Sequence, residues 1–576
     1  MIPEPVILEI LDEIKKRKIS DKRELGILKR EIAKKYKLKR MPTDIRLLLS
    51  LPESEIQKHN TIFATKPTRS LSGVSPVAIM TKPSKCPHGK CTFCVGGIKS
   101  PWGDVPQSYT GHEPATMRGM RNKYDSYLQV FNRLQQYVLL NQPVDKIEII
   151  VMGGTFPAEP IEYQNEFILG VYQALNDFSD LFFDAVGNLQ FVDFKNFFEL
   201  PGELHDKERE ARIHAKLSQM KAKRFDKTNI EAEQVLNEKK KVRGVALCIE
   251  TKPDWGFLEH GNVMLDQGCT RVELGVQSVY DDVLKDVHRG HDSADSKKSI
   301  QILRDLGFKI NFHYMPGLPL TDRARDIAGM KQLFTDPGYM PDMIKFYPCM
   351  VGPGTALYYK WKKGEYKPID TAEAASRLVP VKKIIPEYCR VQRIQRDVPT
   401  KYWEDGVGLT NFRQHLHQQF KLECRCIRCR EPKNRKVDFS SVKMNIHEFE
   451  ASGGKEFFIS FDDTKNDLIL GFCRLRFVNE NLRSEFVGKC AIVRELHVYG
   501  VTVPLETDSG DSVEKDGAVQ HRGFGKKLMA KAEELALEAG MQKLLVISGV
   551  GAREYYRKLG FVREGPYVVK MLNGSE

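Results

Sequence analysis

Three cysteines, Cys86, Cys91 and Cys94, crowd into the short stretch KPSKCPHGKCTFCVGG. Thiolates this close, on a loop too short to carry a strand or helix, commonly hold a metal. Three of them leave one iron of a four-iron cluster open to a substrate or cofactor. Zinc would instead recruit a fourth protein ligand, and His88 stands inside the loop. A second triplet, Cys424, Cys426 and Cys429 in LECRCIRCRE, suits tetrahedral zinc with His415 or His417 as fourth ligand, a second iron–sulfur cluster being the alternative. Farther on, Gln520, Arg522, Gly523, Phe524 and Gly525 spell Q-x-R-G-x-G ahead of a helical run that carries Lys526. Glycines there let backbone N–H groups approach a pyrophosphate, whose charge a helix N-terminus favours.

These groups need elements to position them. Six β-rich runs, PVAIMTKP, KIEIIVMGG, RGVALCIETKP, RVELGVQS, KINFHYMPGLP and MIKFYPCMVGPG, alternate with amphipathic segments between residue 75 and about 355. That alternation predicts a partial parallel (βα)6 barrel of α/β class, with its ligand sites at the carboxyl ends of the strands. The first cysteine loop falls at such an end, and Gly153, Gly154 and Thr155 at the next. Glu250, Gln277, and His288, Arg289 and His291 bring polar groups to the same mouth, Glu250 and Gln277 being the preferred site members. The expected domains are a basic helical region over 1–74, the barrel over 75–384 with a helical insertion at about 160–240, a basic connector with the second cysteine triplet over 385–440, and an α+β domain over 441–576.

The chain has 576 residues, 12 cysteines and a formal charge of +13. Clustered cysteines in a large chain fit metal ligation in a reducing compartment rather than a disulfide framework. No apolar run reaches the roughly 20 residues of a membrane span, and the start lacks an apolar signal core, so a cytoplasmic protein is expected. The positive charge favours an anionic partner, nucleic acid first. Lys15, Lys16, Arg17, Lys34, Lys35, Lys37, Lys39 and Arg40 lie on amphipathic helical stretches that could track a phosphate backbone, although a solvated helix face is the ordinary reading.

The cysteine loop at a first strand end, followed by GGTF at the second, resembles the radical S-adenosylmethionine enzymes, with C-x4-C-x2-C in place of the usual C-x3-C-x2-C. The resemblance implies a 4Fe-4S cluster on Cys86, Cys91 and Cys94, with Gly153, Gly154 and Thr155 meeting the cofactor's amino group. The strand ELHVYG and QHRGFG resemble the acetyl-CoA site of the GNAT acetyltransferases, in which Tyr555 or Tyr556 would protonate the leaving thiolate. Their fusion, with IETKPDW, ELGVQS, RIQRDVP, SGVGAREYYRKLG and GPYVVKM in order, resembles the catalytic subunit of Elongator and its stand-alone archaeal and bacterial relatives. That resemblance implies transfer of an acetyl-derived carboxymethyl group to C5 of the wobble uridine of tRNA, through a 5'-deoxyadenosyl radical. A protein lysine acetyltransferase with a structural S-adenosylmethionine-binding barrel is the alternative. A homodimer is compatible with the sequence.

Overall fold

The computed structural model describes residues 2–56, 60–63, 73–202, 206–225, 227–395, 398–433, 435–499 and 523–572. Helices Glu4–Lys16, Lys22–Lys35 and Asp44–Leu49 open the chain, and their apolar faces bury Ile7, Ile10, Leu25, Leu28 and Leu47. Asp21 and Thr43 cap the second and third through side-chain bonds to backbone N–H groups.

A curled sheet of seven parallel strands follows: β1 (Ser75–Met80), then, after the small hairpin β2 (Gly97–Ser100) and β3 (Gly103–Val105), β4 (Lys146–Met152), β5 (Arg243–Thr251), β6 (Arg271–Gln277), β7 (Lys309–Tyr314), β8 (Met343–Phe346) and β9 (Arg390–Ile394). The order is β1-β4-β5-β6-β7-β8-β9, every neighbour pair parallel. The six expected strands are all present. The seventh, β9, lies in the stretch read as connector: RVQRI is too short and too polar to announce itself, and its pairing with β8 makes it a strand. Between β4 and β5 the chain forms helices Ile161–Phe182, Phe191–Phe197, Lys207–Phe225 and Ile230–Asn237.

The second sheet runs β10 (Val442–Ala451), β11 (Gly454–Asp463), β12 (Leu468–Phe477), β13 (Cys490–Val498), β14 (Lys543–Val546), β15 (Val562–Glu564) and β16 (Tyr567–Met571), in the order β10-β11-β12-β13-β14-β16-β15. Only β13 and β14 are parallel, and they pair only over Cys490–Val493 and Lys543–Val546. Beyond Val493 the two strands part, and helix Phe524–Glu538 packs beside the opening against β11, β12 and β13.

This domain docks on the barrel at the amino ends of its strands, opposite the cysteine loop. Gly549 backs onto the Val245 carbonyl, Gly551 onto Arg243, and the Tyr567 hydroxyl donates to Leu306 O at 2.9 Å. Arg494, the extra residue where the β12–β13 register shifts, makes the central contact. Its fully buried guanidinium donates to both Asp342 carboxylate oxygens at 2.7 Å, to Glu456 Oε2 at 2.8 Å and to Phe308 O at 2.8 Å. Arg304 and Arg476 complete Glu456 from either side. The two units share one continuous core. Among the described residues no helix is long and apolar enough to cross a membrane.

Candidate active site

The cysteine loop leaves β1 and turns twice, Gly89 N–H donating to Cys86 O and Cys94 N–H to Cys91 O, both at 3.0 Å. Gly89 takes a φ of 88°, open to glycine at little cost. Two backbone bonds pin the loop: Thr92 N–H donates to Val287 O at 3.1 Å, and Leu357 N–H to Thr92 O at 2.8 Å. Cys91 and Cys94 are buried and Cys86 is half-buried. Burial pushes the Cys86 thiol up, against a bond to Thr155 and the charges of Arg289 and Lys252. Arg289 also reaches Cys91 Sγ at 3.6 Å, a cation where a thiolate is wanted.

Sulfur spacing separates the two metal chemistries. A tetrahedral zinc at about 2.3 Å from each sulfur holds them roughly 3.8 Å apart. Among the described residues, Cys424, Cys426 and Cys429 gather their sulfurs within 4.8 Å of one another, whereas the first triplet forms no such group. The wider triplet fits a polynuclear cluster, the tighter one a single ion. His88 Nε2 does lie 3.2 Å from Cys91 Sγ, but without the convergence of all three sulfurs that zinc requires.

Around the first loop the structure gathers most of the expected partners. Gly153, at a φ of 116°, passes against Thr81, where a Cβ would collide; Gly154, at 80°, borders the chamber, where a Cβ would meet Gln107 at 3.8 Å. Thr155 Oγ1 sits 3.9 Å from Cys86 Sγ. Gln277 ends β6 at a φ of 65°, a strained backbone for glutamine, with its side-chain Oε1 buried and unbonded. His291 is buried against the Val276 backbone, away from the chamber lining. The unsatisfied Gln277 Oε1 and the turn at Gly154 and Thr155 line one chamber and fit the amino-acid end of S-adenosylmethionine. Glu250 is already engaged: the Tyr109 hydroxyl donates to it at 3.1 Å and Lys345 Nζ stands 3.7 Å away. Phe93 is 4% exposed and packs with Val283, Val287 and Leu357.

From this mouth a chamber of about 1670 Å³ runs down the barrel to the docked domain. A barrel of this kind is ordinarily filled by layers of branched side chains. Here Ala78, Ala246 and Gly275 leave room, while Glu273, His313 and Lys345 face inward. Its lower end is lined by Glu495, His497, Tyr499 and Tyr555 of the second domain and by Arg413 and Arg428 of the connector. Burial and the neighbouring Arg413 and Arg390 lower the Arg428 pKa to about 10, so this wall favours an anion.

In the second domain Gly523 turns at a φ of 73° into helix Phe524–Glu538. A Cβ on Gly525 would stand 2.8 Å from the Tyr555 hydroxyl, so the glycine lets that hydroxyl reach the helix head. Lys526 is exposed there, while Phe524 packs on Phe461 in the core. Gln520 and Arg522 lie outside the described residues. The tyrosine pair divides: Tyr555 lines the chamber, whereas Tyr556 is buried among Phe561 and Tyr555. Burial would push Glu495 up, yet Lys309 and Arg474 hold it at about 2, a structural ion pair.

At the second triplet His417 Nε2 lies 3.7 Å from Cys429 Sγ, while the His415 ring stacks on Phe412. Lys382 reaches Cys426 at 3.8 Å and Cys429 at 3.9 Å, and Arg413 reaches Cys429 at 3.4 Å, cations that offset three thiolates. Burial first, then Lys382 and Arg413, lower the His417 pKa to about 4, leaving a neutral ring for ligation.

The amino-terminal cations are exposed, but Lys15 pairs with Glu55, Lys16 and Arg17 with Glu13, and Lys35 with Glu9. Lys34, Lys37, Lys39 and Arg40 are exposed at and beyond the end of the second helix. In the insertion Arg212 and Lys216 are taken up by Glu199 and Lys221 by Asp125. Glu273, His313, Lys345 and Arg494 each interrupt an apolar strand, and that interruption is the one signal of them in the sequence.

Family models match along the chain: the ELP3 N-terminal domain at 4–71, the radical SAM superfamily at 81–329, the radical SAM C-terminal domain at 341–421 and the acetyltransferase (GNAT) family at 420–561. The chain is 42% identical over 578 residues to a tRNA uridine(34) acetyltransferase of Methanocaldococcus infernus, covering 98% of each. It is 36% identical over 566 residues to Elongator complex protein 3 of Homo sapiens, covering 95% of this chain and 93% of that one. A solved structure of the archaeal Methanocaldococcus infernus Elp3 with its N-terminus (1-46) deleted matches with a TM-score of 0.68 at 38% identity, over 87% of this chain and 100% of that one.

Proposed function

This chain belongs to the family of Elongator complex protein 3 and the archaeal tRNA uridine(34) acetyltransferases, and on that premise we propose that it joins an acetyl-derived carboxymethyl group to C5 of the wobble uridine of tRNA. The observation that carries the reading is the chamber that opens at the cysteine loop and ends at Glu495, His497, Tyr499 and Tyr555 of the second domain. Cys86, Cys91 and Cys94 would hold a 4Fe-4S cluster, and Gly153, Gly154, Thr155 and Gln277 the S-adenosylmethionine. When bound, this pair supplies a carbon-centred radical able to take a hydrogen atom from the acetyl methyl group. Glu250, held by Tyr109 and Lys345, fixes the lumen wall beneath that site. Gly523, Gly525 and Lys526 at the helix head receive the CoA pyrophosphate. In direct acetyl transfer Tyr555 would protonate the thiolate; with the thioester reaching up the barrel, its hydroxyl instead holds the CoA arm.

The receiving base must leave its stack to enter the chamber, which an unpaired anticodon base does at small cost. Lys34, Lys37, Lys39 and Arg40 supply the uncommitted part of a phosphate-tracking surface. Cys424, Cys426, Cys429 and His417 bind zinc, which ties the connector across β9 and Lys382. Twelve cysteines with no disulfide among the described residues fit a reducing cytoplasm.

Anaerobic incubation with tRNA, S-adenosylmethionine, acetyl-CoA and a reductant, followed by nucleoside mass spectrometry, tests the reading. 5-Carboxymethyluridine is expected. Cleavage of S-adenosylmethionine with no modified uridine would sink it, and acetyl-lysine formed without reductant would favour the lysine acetyltransferase.

A further inference from the structure

Midway down the lumen, a group of side chains has no part in holding the cluster or the CoA. Glu273 of β6 and His313 of β7 point inward, with His313 Nε2 2.7 Å from Glu273 Oε2. Lys345 of β8, directly across from His313 in the parallel register, bonds the same carboxylate oxygen. The side chain of Glu273 is 1% exposed, that of His313 14%. Oxygen and nitrogen atoms of Glu250, Glu273 and His313 gather within 4.8 Å, a spacing that could hold a metal ion. The Lys345 ammonium already stands among them, on Glu273 and 3.7 Å from Glu250, so the cation of this site is the protein's own.

Protonation follows from the packing. Burial would push Glu273 up, but Lys345, His313 and Arg271 hold it well below the usual carboxylate range. Burial and then Lys345 push His313 down, so its ring is neutral. A neutral ring that donates from Nε2 to a carboxylate keeps Nδ1 as an acceptor, and among the described residues Nδ1 has no hydrogen-bond partner. A neutral imidazole, oriented by a buried carboxylate and lining a chamber, is the arrangement of a general base.

Its place in the lumen says which proton it takes. If the acetyl methyl carbon reacts at the upper mouth, the carbonyl carbon lies one bond lower and the sulfur two, with the pantetheine arm running down to the helix head. β6 is seven residues long and spans roughly 23 Å at about 3.3 Å per residue, and Glu273 and His313 stand between its ends. His497 lines the lower end beside Tyr499, a strand's length from the mouth.

We propose that His313, oriented by Glu273, is the general base that activates water to hydrolyse the thioester once the acetyl carbon has been joined to the uracil; this rests on the function proposed above. Water gives a proton to Nδ1 as its oxygen bonds the carbonyl carbon. On collapse the C–S bond breaks and the sulfur leaves with that proton as free CoA thiol. The product is the carboxymethyl acid, which ionises to solvent.

Two measurements test this. In cluster-free protein with 15N-labelled imidazoles, the His313 signal, assigned by its loss in His313→Gln, should show a neutral ring protonated at Nε2 at pH 7; an imidazolium or an Nδ1–H ring overturns the proposal. In the holoenzyme, His313→Gln should lower the ratio of CoA release to S-adenosylmethionine cleavage by ~100-fold or more, with an RNA-linked CoA thioester accumulating in mass spectra. An unchanged ratio overturns the base assignment while leaving the proposed function intact. A wild-type enzyme that cleaves S-adenosylmethionine and yields no RNA adduct refutes that function instead. Glu273→Gln tests positioning: with Glu250, Lys345 and Tyr347 still facing the ring, loss of the carboxylate should move the acidic limb of CoA release to lower pH, and an unmoved limb assigns Glu273 a structural role only.

Discussion

Replacing Arg494 by Met should loosen the joint between the barrel and the acetyltransferase-like domain. The native guanidinium is completely buried and serves Asp342, Glu456 and the Phe308 carbonyl together. Without it Glu456 keeps Arg304 at 3.2 Å and Arg476 at 3.1 Å, but Asp342 keeps Arg474 at 3.5 Å, the more distant charge of Arg304 and its own bond from Ile310 N–H. Removing one partner of a buried ion pair costs about 3–5 kcal/mol, because the other charge is left in a poor medium. The variant should therefore lose about that much, read as a lower urea midpoint and faster hydrogen exchange over Met343–Phe346 and Cys490–Val498. Adding Asp342→Asn removes the stranded charge, so the double variant should be less destabilised than Arg494→Met alone. A loss under about 1 kcal/mol, or a double variant worse than the single one, would refute the reasoning. Acid should act at the same joint. Burial would raise Asp342 and Glu456, but Arg494 first, then Arg474 and Arg304 for Asp342 and Arg304 and Arg476 for Glu456, hold both below their ordinary values of 3.8 and 4.5. Groups depressed on folding stabilise fully above those ordinary values and lose the contribution as pH falls through the depressed ones. Stability of the joint should thus be level above about pH 5 and fall below about pH 4.

Tyr555→Phe should raise the acetyl-CoA concentration needed for half-maximal turnover, whereas Tyr556→Phe, deep in the core, should lower the melting temperature and leave that concentration unchanged. Gly525→Ala should weaken acetyl-CoA binding, since its methyl group would meet the Tyr555 hydroxyl at 2.8 Å; calorimetry with CoA measures it, and unchanged affinity would remove Tyr555 from the groove. Elemental analysis should find zinc in the native chain, a loss of at least ~10-fold in affinity for His417→Ala, and no loss for His415→Ala.

Much of this was readable beforehand because the barrel strands end in signals of their own: MTKP, MGG, ETKP and MPGLP stop each run where the turn chemistry demands. The cysteine loops were legible for the same local reason. What stayed hidden was built from distant pieces. Arg494 looks like one charge in a β-run, and only docking brings it to Asp342, 152 positions away. Glu273, His313 and Lys345 read as polar interruptions of apolar strands, which solvent exposure on one sheet face would equally explain; closure of the sheet turns that face inward. β9 has a weak pattern because its pairing partner, not its own residues, makes it a strand. The tyrosine pair could not be divided from sequence, since adjacent helix positions always diverge and only tertiary packing decides which of the two faces the core.

The hollow barrel also fixes how the substrates meet. On the function proposed above, acetyl-CoA would enter at the amino ends of the strands and the nucleic acid at the carboxyl ends, so that neither would occupy the other's doorway and either could arrive first. Steady-state plots for the two should intersect rather than run parallel, and added CoA should compete with acetyl-CoA yet not with RNA. On that proposal the thioester would stay tethered by its own arm until it is cut, and an incomplete turnover would leave the RNA captive instead of releasing a damaged anticodon.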